Sequence, residues 1–124
     1  MIYGVGTDII EVKRVKKQLD KISGLKEKLF SSLEIAYCES KKYPEQHFTA
    51  RFAAKEAFFK ALGTGWRNGL AYKEIELFNN DLGKPEIKLH GKSKEFAYKE
   101  KLKTIHVSIS HIKNISNAVV ILEF

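Results

Sequence analysis

Cysteine is nearly absent: Cys38 stands alone in a chain of 124 residues. A lone thiol excludes a disulfide framework and any multi-cysteine zinc site. In the helical context "EIAYCESKK" it reads as a small buried apolar residue. Only two prolines occur, and no repeat, low-complexity tract or linker interrupts the chain. Long apolar runs are missing too. The stretch 118–122 is a typical one, far short of the roughly 20 residues that cross a bilayer. The opening "MIYGVGTDIIEVKRV" lacks the basic-then-apolar order of a signal peptide, so the expected location is cytoplasmic.

What is present fits one domain, residues 1–124, with enough apolar residues (44%) to bury a core. Lys and Arg number 22 against 15 Asp and Glu, a net charge of +7. That excess favours an acidic partner, whether nucleic acid, a phosphorylated ligand or an acidic protein. Charge alone does not choose among them.

The pattern of elements predicts an α+β fold, with a mostly antiparallel sheet against a long central helix. Residues 2–10, "IYGVGTDII", read as a strand. Gly4 and Gly6 share parity with Asp8, so one face of that strand is nearly bare where the carboxylate points. Residues 11–22 carry Val12, Val15, Leu19 and Ile22 at helical spacing. A short helix is expected near 25–30, and another opens at a Ser cap around 31–32. Pro44 starts the central helix, which runs to about Leu62. Strands follow at 73–79 and 86–90, joined by the turn "NNDLGKP". A surface helix is expected at 92–103, then strands at 104–110 and 118–123 with a loop "HIKNISN" between them.

The central helix is apolar nearly all round, which predicts burial. Glu56 and Lys60 lie one turn apart within it, while Arg51 and Lys55 fall in a separate sector expected to be exposed. Taken alone, Glu56 and Lys60 fit a surface ion pair of about 0.2–0.5 kcal/mol. They also fit a site where a carboxylate takes a cation and an ammonium takes a phosphate. Asp8 stands mid-strand, where Asp is disfavoured. It reads either as a turn or strand-end cap, or as the second carboxylate of a Mg²⁺ site completed by water and phosphate oxygens. Gly63-Thr64-Gly65 ends the helix; Gly63 serves as a C-cap, and the stretch also permits close backbone approach to a phosphate. In "SISH", Ser108 and Ser110 share one strand face, and His111 falls at the mouth of the next loop as an ordinary surface residue or a ligand contact.

These motifs, "GTDII", "RFAAKEAFFKALGTG", "NDLGKP" and "SISH" in this order and at this length, resemble those of the holo-acyl-carrier-protein synthases, the short bacterial class of 4′-phosphopantetheinyl transferases. The resemblance covers essentially the whole chain. It implies the 4′-phosphopantetheinyl transferase fold. It further implies Mg²⁺-dependent transfer of 4′-phosphopantetheine from coenzyme A to a serine of apo acyl carrier protein, releasing adenosine 3′,5′-bisphosphate, in fatty acid biosynthesis. By the same resemblance Asp8 and Glu56 bind the metal and Lys60 contacts the pyrophosphate. Gly63, Thr64 and Gly65 line the coenzyme A site, and Arg51 matches a position associated with the 3′-phosphate. The turn from Asn80-Asp81 through Pro85 lies near the adenine, with Ser110 and His111 near the phosphates or the nucleotide. The family forms homotrimers with a coenzyme A site at each subunit interface.

Arg14, Lys17 and Lys21 fall at i, i+3 and i+7, a basic face suited to an acidic carrier protein; Arg14 matches a position that contacts carrier protein in the family. Two other readings compete. A non-enzymatic nucleic-acid-binding domain would account for the +7 charge but for neither Asp8 nor Glu56. A metal-dependent phosphohydrolase would use the same carboxylates but lacks the additional ones a two-metal site wants. The transferase reading expects neither nucleic acid nor a membrane as partner, and leaves open which group takes the serine's proton.

Overall fold

The computed structural model of the chain describes residues 1–64 and 69–124. Strand β1 (Ile2–Glu11) leads directly into helix α1 (Val12–Lys21). Helices α2 (Leu25–Leu29), α3 (Ser32–Glu39) and α4 (Pro44–Leu62) follow. A 3₁₀ turn at Tyr72–Glu74 then opens β2 (Ile75–Asn79), which pairs with β3 (Pro85–Leu89). Helix α5 (Gly91–Lys99) and strands β4 (Thr104–His111) and β5 (Ile115–Glu123) complete the chain. Among the described residues no helix is long and apolar enough to cross a membrane.

The expected α+β architecture is borne out. One sheet has the strand order β1-β5-β4 and the other is the β2-β3 hairpin, and every pairing described is antiparallel. Ser31 caps α3 as the sequence predicts, in a capping box with Glu34. Pro44 sits in the first turn of α4, where its missing N–H costs nothing.

Three boundaries differ by two residues or more. Residues 73–74 belong to the 3₁₀ turn, because Glu74 accepts from the Ala71 N–H and closes the chain on itself before the strand begins. Helix α5 ends at Lys99 rather than 103, where Lys101 takes a left-handed conformation (φ 61°) and Leu102 N–H bonds Ala97 O. Much of the expected loop 111–117 is strand. Its tight closure, Ile112 N–H to Ile115 O at 2.9 Å, lets Ser110 pair with Asn117 and His111 with Ser116.

Helix α4 lies across the sheet, and its residues from Phe48 to Leu62 are buried except Phe52, Glu56 and Lys60. Ala53, Ala57, Phe58, Phe59, Ala61 and Leu62 meet Val107, Ala118, Val120 and Leu122 from β4 and β5. The helix comes unusually close to β1. A Cβ on Gly4 would stand 1.9 Å from Ala61 O, and one on Gly6 1.9 Å from Ala57 O. The bare strand face therefore seats the helix backbone, and Asp8, next on that face, meets the helix where its polar residues lie.

Candidate active site

Asp8 and Lys60 make the central contact. The Lys60 ammonium donates to Asp8 Oδ1 at 3.1 Å and to the Thr7 carbonyl at 3.0 Å. Asp8 is largely covered, with 14% of its side chain exposed, whereas Lys60 retains 55%. The other carboxylate oxygen, Asp8 Oδ2, is buried and has no hydrogen-bond partner among the described residues. Such an oxygen is costly unless a cation or donor meets it. Asn117 of β5 ties down the backbone here, donating from Nδ2 to Asp8 O.

Glu56 faces this pair from α4, and its Oε1 accepts from the Tyr72 hydroxyl at 3.1 Å. Burial pushes the Glu56 carboxyl up from its ordinary range, and the Asp8 charge adds to the rise. The Tyr72 hydrogen bond, Lys60 and Arg14 pull the other way. Burial and then Glu56 raise Tyr72 itself, so its hydroxyl stays a donor. The Glu56–Lys60 surface ion pair that the spacing allowed is not the arrangement found: Lys60 reaches across to β1 instead.

Two carboxylates of like charge share this corner, with an orphaned oxygen between β1 and α4. An oxygen-only donor set suits a hard divalent cation such as Mg²⁺. Among the described residues no three His, Cys, Asp or Glu side chains gather into one metal site, so water and substrate oxygens would supply the rest of the shell.

The other predicted residues divide. Gly63 ends α4 with φ 80°, its N–H bonded to Lys60 O, so its conformation is that of a C-cap. Thr64 follows, half-buried, and Gly65 lies outside the described residues. Arg14 lines a cavity of about 270 Å³ together with Gln18, Ile22, Leu25, Phe52 and Tyr72. Lys17 and Lys21 stand with Lys13 and Lys16 on the adjoining exposed side of α1. Arg14 is close enough to act on the Glu56 carboxylate, lowering it.

A second cluster occupies the N-terminal half of α4. Arg51 donates from Nη2 to Asn79 Oδ1 at 3.1 Å, and its guanidinium lies 4.1 Å over the Tyr37 ring. Pro85 pairs with Asn79 across the hairpin, whose tip carries exposed Asp81. His111 packs on His47 with ring centroids 5.8 Å apart. Ser110 is exposed on the outer face of β4. His47 and Glu56 are separated by about 13 Å along the helix axis, at ~1.5 Å per residue. The two groups of candidate residues thus lie at different places on one chain.

The expected exposure of Arg51 and Lys55 is overturned. Arg51 is 5% exposed and Lys55 has no exposed surface. Lys55 Nζ bonds Glu34 Oε1 at 2.7 Å and Tyr72 O at 2.9 Å. Helical periodicity cannot reveal this, because Glu34 and Tyr72 arrive from other elements. Tyr72 was also missed as a site residue. Inside "LAYKEIEL" it looks like the start of a strand, and no local signal distinguishes it.

The comparisons with known proteins show the family and the fold. Residues 4–119 match the model of the 4′-phosphopantetheinyl transferase superfamily. The chain belongs to the holo-acyl-carrier-protein synthase family of that superfamily. It is 45% identical over 124 residues to a holo-[acyl-carrier-protein] synthase of Geobacter sp. (strain M21), with 99% of each chain covered. The crystal structure of the synthase from Neisseria meningitidis superposes with a TM-score of 0.91 at 30% identity, covering 100% of both chains. A synthase from Bacillus anthracis, solved in complex with CoA (3′,5′-ADP), gives a TM-score of 0.81 at 35% identity, covering 98% of this chain and 96% of that one.

Proposed function

We propose that the chain transfers the 4′-phosphopantetheine arm of coenzyme A to a serine hydroxyl of apo acyl carrier protein, with Mg²⁺ held by Asp8 and Glu56. The released product is adenosine 3′,5′-bisphosphate, and the setting is fatty acid biosynthesis in the cytoplasm. The observation that carries the reading is the meeting of Asp8, Glu56 and Lys60 at the β1–α4 contact, with Asp8 Oδ2 buried and unpartnered. The synthase relative with bound CoA supports coenzyme A as donor.

When bound, the metal would supply neutralisation of charge on the pyrophosphate. The side chains of this chain do the rest. Asp8 on β1 and Glu56 on α4 would hold the cation between them. Lys60, half-exposed beside them, offers its ammonium to phosphate oxygens and offsets charge as the bisphosphate departs. Arg14 stands next to this corner on the basic face of α1, placed to meet an acidic carrier protein, with Lys17 and Lys21 extending the positive field.

Arg51, with its buried Nε unpartnered, belongs with Asp81, Pro85, Ser110 and His111 to the nucleotide half of the site. Gly63 and Thr64, at the C-terminal end of α4, extend the metal half. Because the two halves lie apart on one chain, a homotrimer in which one subunit's nucleotide half completes a neighbour's metal half accounts for both.

Incubation of the chain with Mg²⁺, coenzyme A and apo carrier protein is expected to add about 340 Da to the carrier protein, the mass of the arm moved by this phosphoryl transfer. Intact-mass spectrometry reads it. Glu56→Gln should remove the shift while circular dichroism stays unchanged. No shift with a validated carrier protein, or full activity in Glu56→Gln, would overturn the reading.

A further inference from the structure

Tyr72 is fixed at three points. Its hydroxyl donates to Glu56 Oε1 at 3.1 Å. Its ring is stacked on Phe52 with centroids 5.7 Å apart and edge-on to Phe59 at 5.1 Å. Its carbonyl accepts from the Lys55 ammonium at 2.9 Å. Lys55 cannot drift, because it is fully buried and bonded to Glu34 at 2.7 Å. Glu34 is in turn held by the N–H groups of Ser31 (2.9 Å) and Leu77 (3.1 Å). Lys55 therefore anchors the backbone of the residue whose side chain grips Glu56, its own neighbour in sequence.

A glutamate side chain has three rotatable bonds and, on a helix face, several rotamers of similar energy. Left alone it would offer a cation one oxygen, two, or none. A donor fixed on one oxygen removes that freedom. We propose that Tyr72 is the positioning residue for Glu56: its hydroxyl holds Oε1, so that the carboxylate presents a single, preset oxygen toward Asp8 and the cation. Tyr72 does this as a neutral donor, acting on the cation through Glu56. The inference rests on the metal reading given above.

The test separates the two. Protein saturated with coenzyme A, without carrier protein so that no turnover occurs, is titrated with Mn²⁺ and free ion is followed by electron paramagnetic resonance. Tyr72→Phe keeps both ring contacts and removes only the hydroxyl. It is expected to raise the Mn²⁺ dissociation constant about tenfold, the lower end of what loss of a ligand's hydrogen-bonding partner costs. Coenzyme A affinity without metal should stay unchanged. In turnover, the Mg²⁺ concentration for half-maximal rate should rise by the same factor, while KM for carrier protein holds.

If Glu56→Gln weakens Mn²⁺ binding and Tyr72→Phe does not, the positioning role is overturned and the metal reading stands. If neither variant changes Mn²⁺ binding, the metal reading itself falls. Should Tyr72→Phe fail to fold, ring-labelled tyrosine in the unaltered protein decides by NMR. The Tyr72 ring signal is expected to move with Mg²⁺ saturation, and a fixed signal would overturn the proposal.

Discussion

A lysine with no exposed surface persists only if its ammonium is bonded on all sides, since an isolated buried charge costs many kcal/mol. Lys55 meets that condition through Glu34, the Tyr72 carbonyl and the face of Phe30, whose centroid lies 5.2 Å away. Burial lowers its readiness to hold a proton, and Glu34 opposes that. Replacing one partner strands the other. Lys55→Met is expected to cost about 3–5 kcal/mol of stability, read as a lower urea midpoint. At this scale the sequence was legible where chemistry is local. Asp8 stands out because a carboxylate is out of place in a strand, and Glu56 because it is out of place on an apolar helix. Arg51 and Lys55 were misplaced because their partners, Tyr37, Asn79 and Glu34, lie on other elements. Tyr72 gave no signal because its role is a single hydroxyl reaching across the fold.

Between elements, the decisive contact is that of β1 with α4. Gly4 and Gly6 let the helix carbonyls of Ala61 and Ala57 approach the strand, and this closeness sets the distance from Asp8 to Lys60. Gly6→Ala would place a Cβ 1.9 Å from Ala57 O and 2.6 Å from Ala61 N. The helix must move away, at a cost of about 1–3 kcal/mol or more. Because the move also parts Asp8 from Glu56 and Lys60, turnover is expected to fall about 100-fold, as misplacement of catalytic groups by ~1 Å can do. Melting temperature and initial rate, measured well below the transition, check the two parts separately. A rate loss no greater than the fraction unfolded would show that the spacing does not matter. The sequence made the bare strand face visible but not its use: the helix that fills it lies some fifty residues later in the chain, at ~3.6 residues per turn with no mark of which carbonyls will face the strand.

The whole molecule leaves one side of its larger sheet uncovered. Val5 (54% exposed) and Ile9 (69%) point away from α4, and Val5 pairs with Ile121, Thr7 with Val119. The β1–β5 part of that face, with Val5, Ile9, Val119 and Ile121, is apolar and fits burial against other copies. It supports the proposed trimer. Sedimentation equilibrium is expected to give three times the 14.2 kDa chain mass. Ile9→Lys, which leaves Asp8 and Glu56 in place, should shift the chain toward monomer and abolish transfer. An active monomer would contradict the shared site. The order of elements was readable from periodicity and turn residues nearly throughout. Assembly was not, because the pattern that buries one strand face says nothing about what covers the other.

Cys38 has no exposed surface, and burial pushes its thiol up to about 12. The proposed donor, coenzyme A, and the modified carrier protein both carry a free sulfhydryl at the end of the pantetheine arm. An enzyme that handles such arms all day risks trapping one as a mixed disulfide, and thiolate is the species that would do it. Sealed behind Phe30 and Phe48 and kept protonated, the sulfur of this chain takes no part in that exchange. Oxidative stress that links coenzyme A to exposed protein thiols should therefore pass this protein by.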